Sequence, residues 1–190
     1  GRILAGRIAI LTDGVPYALI VPSLFVENFQ SIDDYAYRPF YSTFLRWLKY
    51  GSFLFSILLP GLYVAICIFN PELLPHTLVA NLIVSQESTP FPIMWEAVSA
   101  YLLYEVTREA GLRLPSSMGH AVSIIGGLVI GETAVRAGLI SAPMIMVIAL
   151  TAISSFVVPQ LYPQAAVLRI ILIFVGGATG LFGLTLSMAV

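Results

Sequence analysis

Charged residues are scarce in this sequence, making up 10% of the 190 positions, where a soluble domain carries about 25%. Nine basic and ten acidic side chains leave a net charge of −1 with no basic cluster, so a nucleic-acid partner is excluded. The single cysteine, Cys67, sits in an apolar run; it rules out an internal disulfide and reads as a small core residue. The two histidines, His76 and His120, have no cysteine or carboxylate at ligand spacing, so no metal site and no cofactor are expected. Catalytic residues are absent by the same reading. Ser117 and Ser123 each lie three positions from His120, but no third group orients the imidazole. Gly126-Gly127 lacks the preceding strand and the lysine of a phosphate loop. The chain is not expected to be an enzyme. Its first residues do not form a secretory signal. With no methionine at position 1 and an apolar segment running to Val190, a piece of a longer chain is expected.

Apolar residues are what the chain has in excess: 58% of its positions, with a mean hydropathy of +0.94. Together with the low charge this predicts an all-α integral membrane protein in contact with the lipid bilayer. The stretch from Ser116 to Gly138 organises the rest. Small residues recur at every fourth position, Gly119, Ser123, Gly127 and Gly131, which puts them on one slowly drifting helix face. In water each such glycine costs roughly 1 kcal/mol relative to alanine. In a bilayer it lets another helix approach closely. Two readings stand: a packing helix of a bundle, or a helix that also lines a path for ions. In the second, Gly119, Val122, Ser123, Gly126, Ile130 and Thr133 line the pore, with Val122 and Ile130 gating by dewetting. His120 at the inner end, Glu132 at the outer end and Glu96 on a neighbouring helix then serve as ion vestibule or gating groups. Gly127 and Gly131, with Gly176 and Gly180 near the C-terminus, are the helix-packing set.

Taken in order, residues 6–22 read as a hairpin around Asp13-Gly14, the end of an N-terminal soluble domain covering 1–22. Residues 23–49 interleave tyrosine and tryptophan with arginine and lysine, as a helix at the membrane interface does. The transmembrane domain, 50–190, opens with 22 uncharged positions from Tyr50 to Pro71, bent at Pro60-Gly61. Basic residues before that span place its start on the cytoplasmic side. Residues 72–90 are an interfacial or re-entrant piece, and 91–109 a second span carrying Glu96. Glu105, Arg108 and Glu109 form either a solvated helix end or a local ion pair. Gly111 caps that helix and Pro115 ends it. The small-residue helix, a span over 141–158, a proline-containing loop with a positive charge over 160–169 and a final span over 170–190 complete about five transmembrane helices. The pieces at 77–84 and 91–109 alternatively pack as half-helices.

Several segments resemble one known family. Asp13-Gly14-Val15-Pro16, Val21-Pro22-Ser23-Leu24-Phe25 and Asp33-Asp34-Tyr35 look like its membrane-entry region. Leu58-Leu59-Pro60-Gly61-Leu62-Tyr63-Val64-Ala65 resembles its first span. Pro90-Phe91-Pro92, Arg108-Glu109-Ala110-Gly111-Leu112-Arg113-Leu114-Pro115 and the run Ala121 to Gly131 follow in the family's order. The family is the GerA-type A subunit of bacterial spore germination receptors, including relatives encoded with the dipicolinic-acid channel genes. The resemblance implies a membrane protein of the endospore inner membrane. It also implies assembly with itself as a pentamer, with a transporter-like B subunit and with a lipoprotein C subunit. The implied activity is a nutrient-gated cation channel lined by the Gly119–Gly131 helix. A non-conducting scaffold subunit and, less well matched, a secondary transporter are the alternatives; no internal repeat supports the transporter. His120 and Glu132 depart from the family pattern, in which glutamine, or at the second position a small residue, is expected.

Overall fold

A computed structural model describes residues 6, 8–11, 13–14, 18–22, 24–30, 34, 37–113, 126–127 and 129–189. It divides into two compact units, Gly1–Tyr50 and Gly51–Val190.

In the first unit, strands β1 (Ile8–Leu11) and β2 (Ala18–Val21) pair antiparallel, with Ile8 opposite Val21 and Leu11 opposite Ala18. That register leaves six residues between the strands, longer than a two-residue Asp-Gly turn. Gly14 at φ +80° supplies the left-handed step within the connection. A 3-10 turn, Phe25–Phe29, follows. It buries Phe29, whose ring lies 4.4 Å from that of Tyr50. Asp34 is buried, and Lys49 Nζ donates to both of its carboxylate oxygens at 2.9 and 2.8 Å. The Ser42 hydroxyl donates to the Asp34 carbonyl at 2.7 Å. A buried carboxylate needs such partners, and the aromatic stretch supplies them locally.

Helix α1 covers Pro39–Phe69 and continues through Pro60. Of the segment 23–49, where an interfacial helix is expected, residues 39–49 are the first turns of α1 and Phe25–Phe29 is the 3-10 turn. After a 3-10 turn at Pro71–Leu73 come α2 (His76–Glu87) and α3 (Ile93–Arg113). Gly111 lies inside α3 and does not end it. Helical residues 126–127 and 129–136 form α4. Helix α5 (Ala142–Phe156) starts from Ser141, whose hydroxyl accepts from Met144 N, with Pro143 in the first turn where its missing N–H does no harm. Helix α6 covers Tyr162–Ala189.

The loop expected over 160–169 is thus mostly helix. Pro163 falls in the first turn of α6, where proline is tolerated, so it does not act as a breaker. Together with the turn at Pro159–Leu161, α6 gives an apolar stretch of 31 residues, as long as α1. Each spans about 46 Å at 1.5 Å per residue, against a bilayer core of about 30 Å. These two are long and apolar enough to cross a membrane. The second unit's core joins four helices through Val64, Ala97, Tyr101, Met144, Ile148 and Ile173.

Glycines set the helix spacing. A Cβ on Gly61 of α1 would stand 2.7 Å from the Leu172 carbonyl oxygen, and one on Gly176 of α6 would stand 2.5 Å from the Gly61 carbonyl oxygen. The next residue, Gly177, turns about 100° around the helix and meets α3 instead, at Met94. At Gly180, φ is +66° and ψ −152°, so α6 is interrupted there, beside the Phe69 ring.

Candidate functional site

The small-residue helix is described from Gly126 onward; Gly119, His120, Val122 and Ser123 lie outside the described residues. Along the described part, Gly126 faces Thr107 of α3 and Gly131 faces Ile145 of α5. Gly127 has open space where a side chain would begin. Gly127, Ile130, Gly131 and Ala134 form one wall of a groove of about 690 Å³, with α3 and α5 as the other walls. The structure thus brings Ile130 from the expected pore set together with Gly127 and Gly131 from the expected packing set. Thr133 is exposed, its hydroxyl donating back to Val129 O at 2.5 Å. Glu132 is exposed and accepts from Arg136 at 2.7 Å, one turn along the same helix.

Glu96 occupies the first turn of α3 and is 1% exposed. One of its oxygens accepts from the Ser141 backbone N–H at 2.7 Å and from the Ser141 hydroxyl at 2.6 Å. The carboxylate therefore sits at the N-terminal ends of two helices, α3 and α5, where the partial positive charge of both favours an anion. This arrangement holds the starts of α3 and α5 together, so the two helices run in the same direction.

A second polar cluster lies at the other end of α3. Glu105 Oε2 accepts from the hydroxyls of Tyr101, at 3.3 Å, and Tyr162. Its other oxygen is 3.6 Å from Arg108, whose guanidinium lies 3.1 Å from the centre of the Tyr162 ring. Arg169, 0% exposed in α6, stands over the Tyr101 ring at 5.0 Å and the Tyr162 ring at 6.0 Å. Its Nε donates to the Ser56 carbonyl of α1 at 2.7 Å, while its two terminal nitrogens have no hydrogen-bond partner among the described residues. A charge-bearing loop was expected there. The residue is instead a buried cation held against two phenol rings. Both tyrosines thereby bridge a cation on one side and a carboxylate on the other.

Of this cluster, only Glu105 and Arg108 stood out in the sequence. The Tyr101–Glu105 spacing of four was a readable signal for a shared helix face. The Tyr162 contact, 57 positions from Glu105, had no local signal at all.

Long apolar helices in close glycine contact, enclosing buried ionic groups that bond across helices, define a class: helical proteins built for tight packing with polar chemistry inside. The family model described as Bacillus/Clostridium GerA spore germination protein matches residues 1–190. The chain belongs to the GerA spore germination family. It is 42% identical to spore germination protein KA of Bacillus subtilis (strain 168) over 99% of its length, covering 35% of that relative. Spore germination protein GerLA of Bacillus cereus is 43% identical over 96% of the chain, with 38% of the relative covered. YfkQ of Bacillus subtilis, described as an uncharacterized membrane protein, is 39% identical over 98% of the chain and is covered to 37%. The chain therefore spans little more than a third of the length of these relatives. No solved structure matches it.

Proposed function

We propose that this chain is the membrane portion of the A subunit of a spore germination receptor, forming an oligomeric, nutrient-gated cation channel in the inner membrane of the endospore. In this reading residues 1–22 end a soluble domain, 23–49 lie at the membrane interface, and 50–190 carry five spans with the N-terminus inside. Phe40, Phe44 and Trp47, all exposed on α1 beside Arg46 and Lys49, suit that interface. The partners are further copies of the chain as a pentamer, a transporter-like B subunit and a lipoprotein C subunit.

The observation that carries the channel reading is what α4 leaves uncovered. Helices α1 and α6 expose large apolar side chains such as Phe55, Ile171 and Phe182, the kind that face lipid. Helix α4 exposes Val129 and Ile130 too, but adds Gly127 and the polar Glu132, Thr133 and Arg136. Small and polar positions of this kind, repeated around an oligomer, leave a wet bore. The non-conducting scaffold is the second reading. It is favoured by the open space at Gly127, which suits a neighbouring helix, and by the Glu132–Arg136 pair, which cancels charge within α4.

The two readings separate in proteoliposomes carrying the full-length protein under a salt gradient. Glu132→Gln leaves the Arg136 charge unopposed at the outer mouth and lowers cation preference by roughly tenfold, the low end of what charged clefts contribute to local ion concentration. Arg136→Gln moves the reversal potential the opposite way. Unchanged reversal potentials in both variants would remove Glu132 from the ion path.

A further inference from the structure

The groove between α3, α4 and α5 is apolar except for a short polar stretch on its α3 wall. Helices α3 and α5 start together, so Arg108 and Leu112 of α3 lie towards the same end as Phe156, the last residue of α5, and Pro159 after it, while Ala100 and Ile140 mark the other end. From Ala100 to Leu112 the α3 wall is about 18 Å long. Its lining is aliphatic and aromatic apart from Tyr104, Thr107 and Arg108.

Arg108 is the decisive residue. The ion pairs at Arg113–Glu109 and Arg136–Glu132 close to 2.8 and 2.7 Å, but Arg108 stays 3.6 Å from Glu105. Glu105 has committed its other oxygen to two phenol hydroxyls. Arg108 lies over the Tyr162 ring at 3.1 Å but donates no hydrogen bond to a described residue, and its partly exposed side chain lines the apolar trough one turn short of Leu112. A cation with unused N–H donors in the wall of an apolar groove complements an anionic head joined to an apolar chain.

Resting on the membrane reading above, we propose that the groove holds one anionic phospholipid per chain, with an acyl chain along α3 and α4 and the phosphate at Arg108. The volume, about 690 Å³, lies within the range of sites for extended small ligands.

Native mass spectrometry of the full-length protein in mild detergent, with phosphatidylglycerol or phosphatidylcholine of the same chains added, tests this. One phosphatidylglycerol per chain is retained, in preference to phosphatidylcholine by about fivefold, the worth of one arginine near an anionic headgroup. Arg108→Gln abolishes the preference. Gly127→Leu fills the groove and removes retention of both lipids; a Cβ at Gly127 meets no atom within 4 Å, so the fold has room for it. Arg113→Gln, whose arginine is already paired, leaves retention as it was. Equal retention in the parent, Arg108→Gln and Gly127→Leu overturns the proposal. A Gly127→Leu variant that loses its oligomeric mass while keeping its lipid assigns the groove to a second copy, which also overturns it. Release of the protein from membranes by carbonate without detergent overturns the membrane reading itself, a result distinct from loss of lipid alone.

Discussion

Gly176→Val removes most of the properly assembled protein from membranes, and Gly61→Val does the same. At this crossing each new Cβ would stand 2.5–2.7 Å from a backbone carbonyl oxygen of the facing helix, a separation that real contacts do not reach. Backbone cannot rotate away as a side chain does, so α1 and α6 must separate. The separation also breaks the Arg169–Ser56 bond between the same two helices and uncovers Val64 and Ile173. Overpacking a well-filled core costs about 1–3 kcal/mol, and a backbone clash lies at or beyond the top of that range. Gly177→Ala meets only the Met94 side chain and is the milder control. Membrane abundance together with thermal unfolding in detergent gives the ranking: Gly61→Val and Gly176→Val far below Gly177→Ala. Equal behaviour of all three would dismiss the close α1–α6 crossing.

Glu105→Leu has the second largest effect. Glu105 is the carboxylate shared by Tyr101, Tyr162 and Arg108, and Arg169 faces the same two rings. Taking it away leaves Arg108 without its carboxylate and two phenol hydroxyls without an acceptor, beside rings that already face the Arg169 cation. Breaking a buried pair from one side costs about 3–5 kcal/mol. With the Glu105 side chain 32% exposed, water takes up part of that loss, and about 2–3 kcal/mol remains. Glu105→Gln keeps an acceptor for the hydroxyls and loses only the charge, so it falls between the parent and Glu105→Leu. Arg169→Met restores part of the Glu105→Leu loss by removing the buried cation. Unfolding of the parent, the three single variants and the double variant checks the order, and additive effects of Glu105→Leu and Arg169→Met would contradict the coupling.

Part of both arrangements was legible in the sequence. The Gly176 and Gly180 spacing pointed to close packing, and Pro60-Gly61 stood out in the first span. Their meeting partners, 115 positions apart in the case of Gly61 and Gly176, belong to tertiary structure alone. The hairpin was readable because Asp13-Gly14 is a local turn signal. The uncharged run after Lys49 marked α1 for the same kind of reason, although its start at Pro39 did not show. Residues 160–169 misled because proline and arginine both signal a loop when read locally. Pro163 occupies a first turn, and Arg169 is held by tyrosines from α3 and from its own helix start, so both signals lose their usual meaning. Glu96 was recognisable as unusually deep. That it joins two helix starts through Ser141, 45 positions away, was not.

In the proposed channel the small-residue helix faces water. Cation flux from liposomes holding the full-length protein, with Cys67 replaced and Ser123→Cys introduced, tests it most directly. A water-soluble thiol reagent added to these liposomes blocks the flux at least about tenfold, as a charged adduct in a narrow bore does. Flux that persists unchanged while the reagent is present would place the conduction path elsewhere, and the channel reading of this helix would be wrong.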